Sequence, residues 1–202
     1  MSVEIVFIVD RSGSMQGTES DTIGGYNAFL HKQTAQEGEA RVTTVLFDNQ
    51  YELLHDAVEL PMVTDITEHN YFVRGTTALY DALGQTIERV KARSRRAIFV
   101  IITDGLENAS QRYTADHVKE LIGERQAAGW EFFYLGADLE NFADADRIGI
   151  RPDRMAKIKK DIIFQSYQAF GDVVSDFREG KEQVKDWDEK MKGKSEDDAE
   201  SS

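Results

Sequence analysis

The sequence contains no cysteine, which excludes a disulfide framework and thiolate metal sites and fits a reducing compartment. It also has no apolar run approaching the roughly 20 residues that span a bilayer. A signal peptide is missing as well. Val3-Glu4-Ile5-Val6-Phe7-Ile8-Val9 is interrupted by Glu4 and runs into Asp10, with no basic lead and no small-residue cleavage site. These absences lead to the expectation of a soluble, cytoplasmic protein that is not attached to a membrane. Asn108-Ala109-Ser110 matches a glycosylation acceptor, but without secretion it reads as a chance match. Basic residues are in deficit, with 24 Lys and Arg against 37 Asp and Glu and a formal net charge of −13. Nucleic acid is therefore not an expected partner, because backbone binding needs a basic face that displaces counterions. The charge suits a protein that attracts cations or basic partners, and equally one that is simply well solvated.

What the chain does have is enough apolar content, 41% over 202 residues, for one core between a sheet and its covering helices. Strand and helix patterns alternate. Val3 to Val9 reads as a strand, followed by a helix with Ile23, Tyr26, Phe29 and Leu30 at helical spacing. Arg41 to Phe47 is a β-branched strand, Asp48-Asn49 a turn, and Tyr51 to Leu54 its hairpin partner. Pro61 to Val73 is a polar connection. A second helix carries Leu79, Leu83, Ile87 and Val90 on one face and ends in the basic run Lys91 to Arg96, which suits the negative end of a helix dipole or an anionic ligand.

Ala97 to Ile102 is apolar on both faces, as in a central parallel strand covered on both sides. A helix at Val118, Leu121 and Ile122, a strand at Trp130 to Leu135, a short helix at Phe142, Ala145 and Ile148, and an edge strand at Met155 to Ile158 follow. A long helical stripe through Ile163, Tyr167, Phe170, Val174 and Phe177 closes the pattern. The fold class is α/β: a doubly wound, mostly parallel central sheet with helices on both faces and one antiparallel edge strand, over residues 1–180. Residues 181–202 hold five lysines and eight acidic residues, with Val184, Trp187 and Met191 as a small apolar stripe that docks on the domain or on a partner. From about residue 193 the composition predicts disorder.

Three short motifs each fall just after a strand: Asp10-Arg11-Ser12-Gly13-Ser14, Gly75-Thr76-Thr77-Ala78-Leu79-Tyr80-Asp81 at the start of the second helix, and Thr103-Asp104-Gly105. In open α/β sheets, ligands sit beyond the carboxyl ends of strands where the strand order reverses. Two strands flanking that crevice bring Asp10 and Asp104 together. Carboxylates and hydroxyls at one rim describe an oxygen-rich site for a hard cation, Mg²⁺ or Mn²⁺. Hydroxyls do not neutralise the ion; where the two aspartates act mainly through bound waters, it keeps much of its charge and an open position that a partner's carboxylate can fill. An Asp-x-Ser-x-Ser alone arises by chance in roughly one chain in twenty of this length; the ordered set of three motifs carries the signal.

The arrangement resembles the metal ion-dependent adhesion site of von Willebrand factor A (vWA) domains, over residues 3 to 178. That resemblance implies a vWA fold, a metal set of Asp10, Ser12, Ser14, Thr77 and Asp104, and a protein-interaction role without catalysis. Intracellular members often serve multiprotein assemblies. The family's Gly-Gly-Thr stands here as Gly75-Thr76-Thr77, which makes Thr77 the ligand rather than Thr76. Gly129 to Asp138 also looks like small stand-alone members from bacteria and their phages.

The competing reading is a Mg²⁺-dependent phosphatase with Asp10 as nucleophile. Phosphatases of the haloacid dehalogenase type want a second carboxylate where this chain has Ser12, and no P-loop, catalytic triad or dinucleotide fingerprint is present. A vestigial metal site on an assembly protein is a third reading. The histidines His31, His55, His69 and His117 lack metal-ligand spacing and read as surface or boundary residues. Asp48, Asp81 and Asp138 read as caps or turn residues, with a supporting role open for Asp81.

Overall fold

Val3–Asp10 forms strand β1, buried along its whole length, and everything else is arranged around it. A computed structural model describes residues 2–136, 139–157 and 163–180. After β1 come helix α1 (Glu19–Thr34), the hairpin of β2 (Ala40–Phe47) and β3 (Tyr51–Glu59), and helix α2 (Leu79–Lys91). They are followed by β4 (Ala97–Thr103), α3 (Ala115–Ala127), β5 (Glu131–Gly136), α4 (Leu139–Arg147), β6 (Met155–Lys157) and α5 (Ile163–Arg178). The sheet order is β3-β2-β1-β4-β5-β6. Among the described residues, only the β2–β3 pairing is antiparallel. Asp138, Ile158 and the charged segment with Trp187 lie outside the described residues.

The period-2 alternation of β1 feeds two cores. Val3, Ile5, Phe7 and Val9 face α1 and α5, packing with Tyr26, Phe29, Phe170 and Val174. Phe7 meets the rings of Tyr26 and Phe29 edge-on, each at 5.0 Å. Val6 and Ile8 face the opposite way, into a core with Leu83 and Ile87 of α2 and Val118 and Ile122 of α3. From β1 the chain winds outward through β2 and β3, then crosses to β4 on the other flank and continues to β6. The strand order therefore reverses between β1 and β4, and their carboxyl ends, Asp10 and Thr103, open the crevice.

Strand β3 runs to Glu59, beyond the expected Tyr51 to Leu54. Its register against β2 shifts around Thr44, and Ala57 sits at φ 51°, with its N–H donating to the Thr43 hydroxyl at 3.0 Å. This irregular edge twists and continues where a regular polar strand would have stopped. His55 is buried there, deeper than the surface or boundary position expected, because its ring lies between the hydroxyls of Tyr26, Thr44 and Thr64.

At the amino end of β1, Glu4 is fully buried in the sheet. Arg93 donates to it at 2.8 Å, Thr43 at 2.6 Å, and Ser94 completes the cage. The basic run after α2 is thus tied internally, since Arg96 also donates to the Phe177 carbonyl at 2.9 Å and covers that ring. Burial pushes the Glu4 carboxyl up, but the bonds from Arg93, Ser94 and Thr43 outweigh it and hold the carboxyl below its ordinary 4.5. A depressed folded-state value contributes stability above the unfolded-state value, and that contribution is lost as pH falls through the folded one. Glu4→Ala should cost about 3–5 kcal/mol at neutral pH in a denaturant melt, and the deficit should shrink as pH is lowered below 4.5.

Candidate metal centre

The carboxyl end of β1 places Asp10 at 0% exposure. Its Oδ1 accepts the Ser12 N–H at 2.6 Å, and its Oδ2 accepts the Thr103 hydroxyl at 2.5 Å. Tyr71 reaches across from the long connection and donates to the Asp10 carbonyl at 2.7 Å. Burial pushes the Asp10 carboxyl up to about 6, Asp104 pushes the same way, and the bonds from Thr103 and Ser12 pull back. The hydrogen-bond donors to Asp10 are all neutral, in contrast to the guanidinium on Glu4.

Ser12 opens a single 3₁₀ turn, Gly13–Met15. Thr18 donates to the Met15 carbonyl at 2.7 Å and pins the turn to the start of α1. The turn presents both serine hydroxyls: Ser12 Oγ lies 3.1 Å from Ser14 Oγ and 2.9 Å from Thr77 Oγ1. Ser12 and Thr77 are buried, at 2% and 3% exposure, while Ser14 and Thr76 are exposed. The side toward Ser14 is the open one. Thr77 is set by Gly75, whose φ of +69° is a left-handed conformation and whose position would drive a Cβ into Asn49.

The third motif brings Gly105 against the same oxygens. A Cβ built there would lie 2.5 Å from Thr77 Oγ1, 2.9 Å from Ser14 Oγ and 3.1 Å from Asp10 Oδ2. The space next to Gly105, in the third motif, is therefore ringed by oxygens from the other two. Asp104 stands close enough to raise the carboxyl of Asp10, and both its carboxylate oxygens are shielded from solvent. The structure gathers Asp10, Ser12, Ser14, Thr77 and Asp104 at one place. Two carboxylates with three hydroxyls match a hard divalent cation, which would offset the crowding of negative charge. No group of three or more His, Cys, Asp and Glu with metal-holding geometry occurs among the described residues, so a cation here depends on the hydroxyls.

Several supporting residues lie outside the candidate ligand set. Thr103 orients Asp10 and also ties the Gly105 backbone, accepting its N–H at 3.1 Å. Arg11, the cation nearest Asp10 in sequence, turns away: its Nε donates to Asp48 at 3.1 Å and its terminal nitrogen pairs with Glu52 at 2.7 Å. Asp48 is fully buried and also takes Arg74 at 2.7 Å, so it anchors the motif loops rather than merely turning the chain. Helix α2 lacks a side-chain cap of its own. Glu107 instead accepts the Tyr80 N–H at 3.0 Å, and Ser110 accepts that of Asp81 at 3.0 Å. Asp81 in return accepts the N–H groups of Gln111, Arg112 and Tyr113. The strand-end position of Thr103 was a usable signal for its role; the others depend on contacts distant in sequence.

Residues 1–130 match the family model described as VWA domain containing CoxE-like protein. The chain belongs to that family. No curated protein matches the sequence. Among solved structures, this vWA chain is similar to the vWF domain of the type V pili tip protein Mfa5 from Porphyromonas gingivalis, with TM-score 0.66, 13% identity and coverage of 86% of this chain and 95% of that one. It is also similar to manganese-loaded TRAP protein of Plasmodium vivax, with TM-score 0.61, 17% identity and coverage of 81% and 71%. Proximal thread matrix protein 1 of the mussel byssus, solved with zinc in its MIDAS motif, gives TM-score 0.63, 14% identity and coverage of 85% and 45%. At these identities the likeness establishes a shared vWA fold.

Gly105→Ala tests the oxygen ring directly. Its methyl would enter the space between Thr77, Ser14 and Asp10, so Mg²⁺ or Mn²⁺ affinity by calorimetry should fall about tenfold or more, while circular dichroism stays native.

Proposed function

We propose that this vWA chain is a divalent-metal-dependent protein-interaction module that binds a carboxylate of its partner at the carboxyl edge of the sheet. The observation that carries this is the oxygen ring beside Gly105, open on the Ser14 side. Asp10, Ser12, Ser14, Thr77 and Asp104 would hold the ion, Mg²⁺ or Mn²⁺. Once bound, such an ion would supply a Lewis-acidic centre with room for an Asp or Glu from the partner. Manganese in the Plasmodium protein and zinc in the mussel protein support divalent metal use. Pilus-tip and byssus-thread relatives support a role in protein contacts.

Asp10 is poorly placed for the alternative role of phosphatase nucleophile. It is fully buried, and both of its oxygens already accept hydrogen bonds. The reading is therefore a binding protein without catalysis. The cytoplasm is its proposed location, consistent with the absence of cysteine.

The test begins with pull-downs compared with and without EDTA. Asp10→Ala should abolish Mg²⁺ binding in calorimetry without unfolding the chain; unchanged affinity overturns the ligand assignment. Thr77→Ala and the amide form of the partner's acidic residue should each weaken the complex, and the double change should cost little more than either alone. That non-additivity identifies two groups acting on one ion; equal binding in EDTA or simple additivity removes the metal as the bridge.

A further inference from the structure

A cavity of about 420 Å³ opens between the end of α1, the start of β2 and the end of β3. Val3 pairs with Ala40, and Arg41 with Glu59, so this cavity lies at the amino edge of the sheet, opposite the metal centre. We propose that it is the docking site of the chain's own segment 181–202, which seats Trp187 there with Val184 and Met191 beside it. The proposal is independent of the metal-dependent reading, since it uses none of the oxygen-ring residues.

The end of α5 brings the chain to the cavity wall. Arg178 donates to the carbonyls of Gln33 and Gly38, each at 2.7 Å, and Gly38 is part of that wall. Two residues on, Gly180 has a φ of +74°, and its N–H closes on the Phe177 carbonyl at 3.1 Å. A left-handed glycine in that place ends a helix and turns the chain. The link from Arg178 to Trp187 spans up to about 30 Å, so reach does not limit docking. Tethering also gives the segment an effective concentration on the order of millimolar, an advantage that a free partner lacks.

The lining chemistry fits this occupant. Ala40, Leu60 and Pro61 supply an apolar wall. Met62 follows them and, at 71%, is the most exposed large apolar side chain among the described residues. An indole with aliphatic neighbours covers such a surface. Val184, Trp187 and Met191 are spaced three and four apart in a segment otherwise small or polar. The cavity also carries both signs of charge. The Nε of Arg41 is shielded from solvent without a hydrogen-bond partner, which leaves a donor to satisfy. Glu39 and Glu59 form no ion pair among the described residues. A uniformly acidic occupant would meet the two glutamates, and a uniformly basic one would leave Arg41 unmet. Around Trp187 the signs alternate, with Lys185 and Asp186 before it and Asp188 and Lys190 after it. That mixture complements the cavity.

The chain has no cysteine and two tryptophans, which makes the test direct. The full chain carries a nitroxide at Met62→Cys, and the indole N–H signals of Trp130 and Trp187, assigned with Trp187→Phe, are followed by ¹⁵N NMR in EDTA. The label should broaden the Trp187 signal strongly. A label at Glu124→Cys, exposed on α3 on the other face of the sheet, should leave it sharp. Thr34→Tyr fills the cavity from an exposed position in the last turn of α1. It should reduce the broadening from Met62→Cys severalfold while circular dichroism stays native. Absence of broadening, or broadening unchanged in Thr34→Tyr, overturns the docking site. Broadening that appears when ¹⁵N-labelled native chain is mixed with unenriched spin-labelled chain assigns the occupant to a second copy and overturns docking within one chain.

Discussion

A carboxylate sealed at the end of a buried strand must be satisfied from its surroundings, and much of the upper face of this molecule serves that need for Asp10. The Ser12 N–H and the Thr103 hydroxyl cover its two oxygens, and Tyr71 holds its carbonyl. Thr103 and Tyr71 lie far from Asp10 in sequence, so satisfying this one residue draws the end of β4 and the long connection to the end of β1. Glu4, on the same strand, solves the same problem differently, with Arg93 against it. The carboxylate with a guanidinium is held ionised. The one with neutral donors is raised, with a second carboxylate nearby. That asymmetry along β1 is the physical reason for reading the Asp10 end as a cation site and the Glu4 end as architecture.

The loops around Asp10 are held by charge that does not reach the oxygen ring. Arg11 and Arg74 converge on Asp48, with the Phe72 ring lying 5.4 and 5.2 Å from their guanidinium carbons. Glu107 in the loop after β4 accepts from the start of α2, and Asp81 in α2 accepts from that loop. Positive charge is thereby withdrawn from Asp10, while backbone donors that a cation could not use are occupied. Phe72 and Leu106, at 43% and 42% exposure, are two of the few large apolar side chains left uncovered, and both belong to these loops.

Much of this was legible in the residues. The all-apolar run Ala97 to Ile102 could only be a central strand, and the helical stripes of α2 and α5 appear where their periodicity places them. The motif order brought Asp10, Ser12, Ser14, Thr77 and Asp104 together without any contact being known, because strand ends on one side of a parallel sheet must lie along one edge. The length of β3 was not legible. Its second half is polar and continues only because a bulge at Ala57 lets it stay paired with β2. His55 looked like a surface or boundary residue for a similar reason: its hydroxyl partners come from α1, β2 and the connection beyond β3.

Local pattern determined the elements, their order and the candidate ligands, since hydrophobic period and strand-end motifs act within a few residues. The tertiary structure decided how the charges are shared. Arg11 lies next to Asp10 in the chain yet serves Asp48, Arg93 crosses to Glu4, and Asn108 holds the backbone of Thr77. Such pairings bring together residues tens of positions apart, and they are set by which desolvated group lies nearest once the sheet has closed.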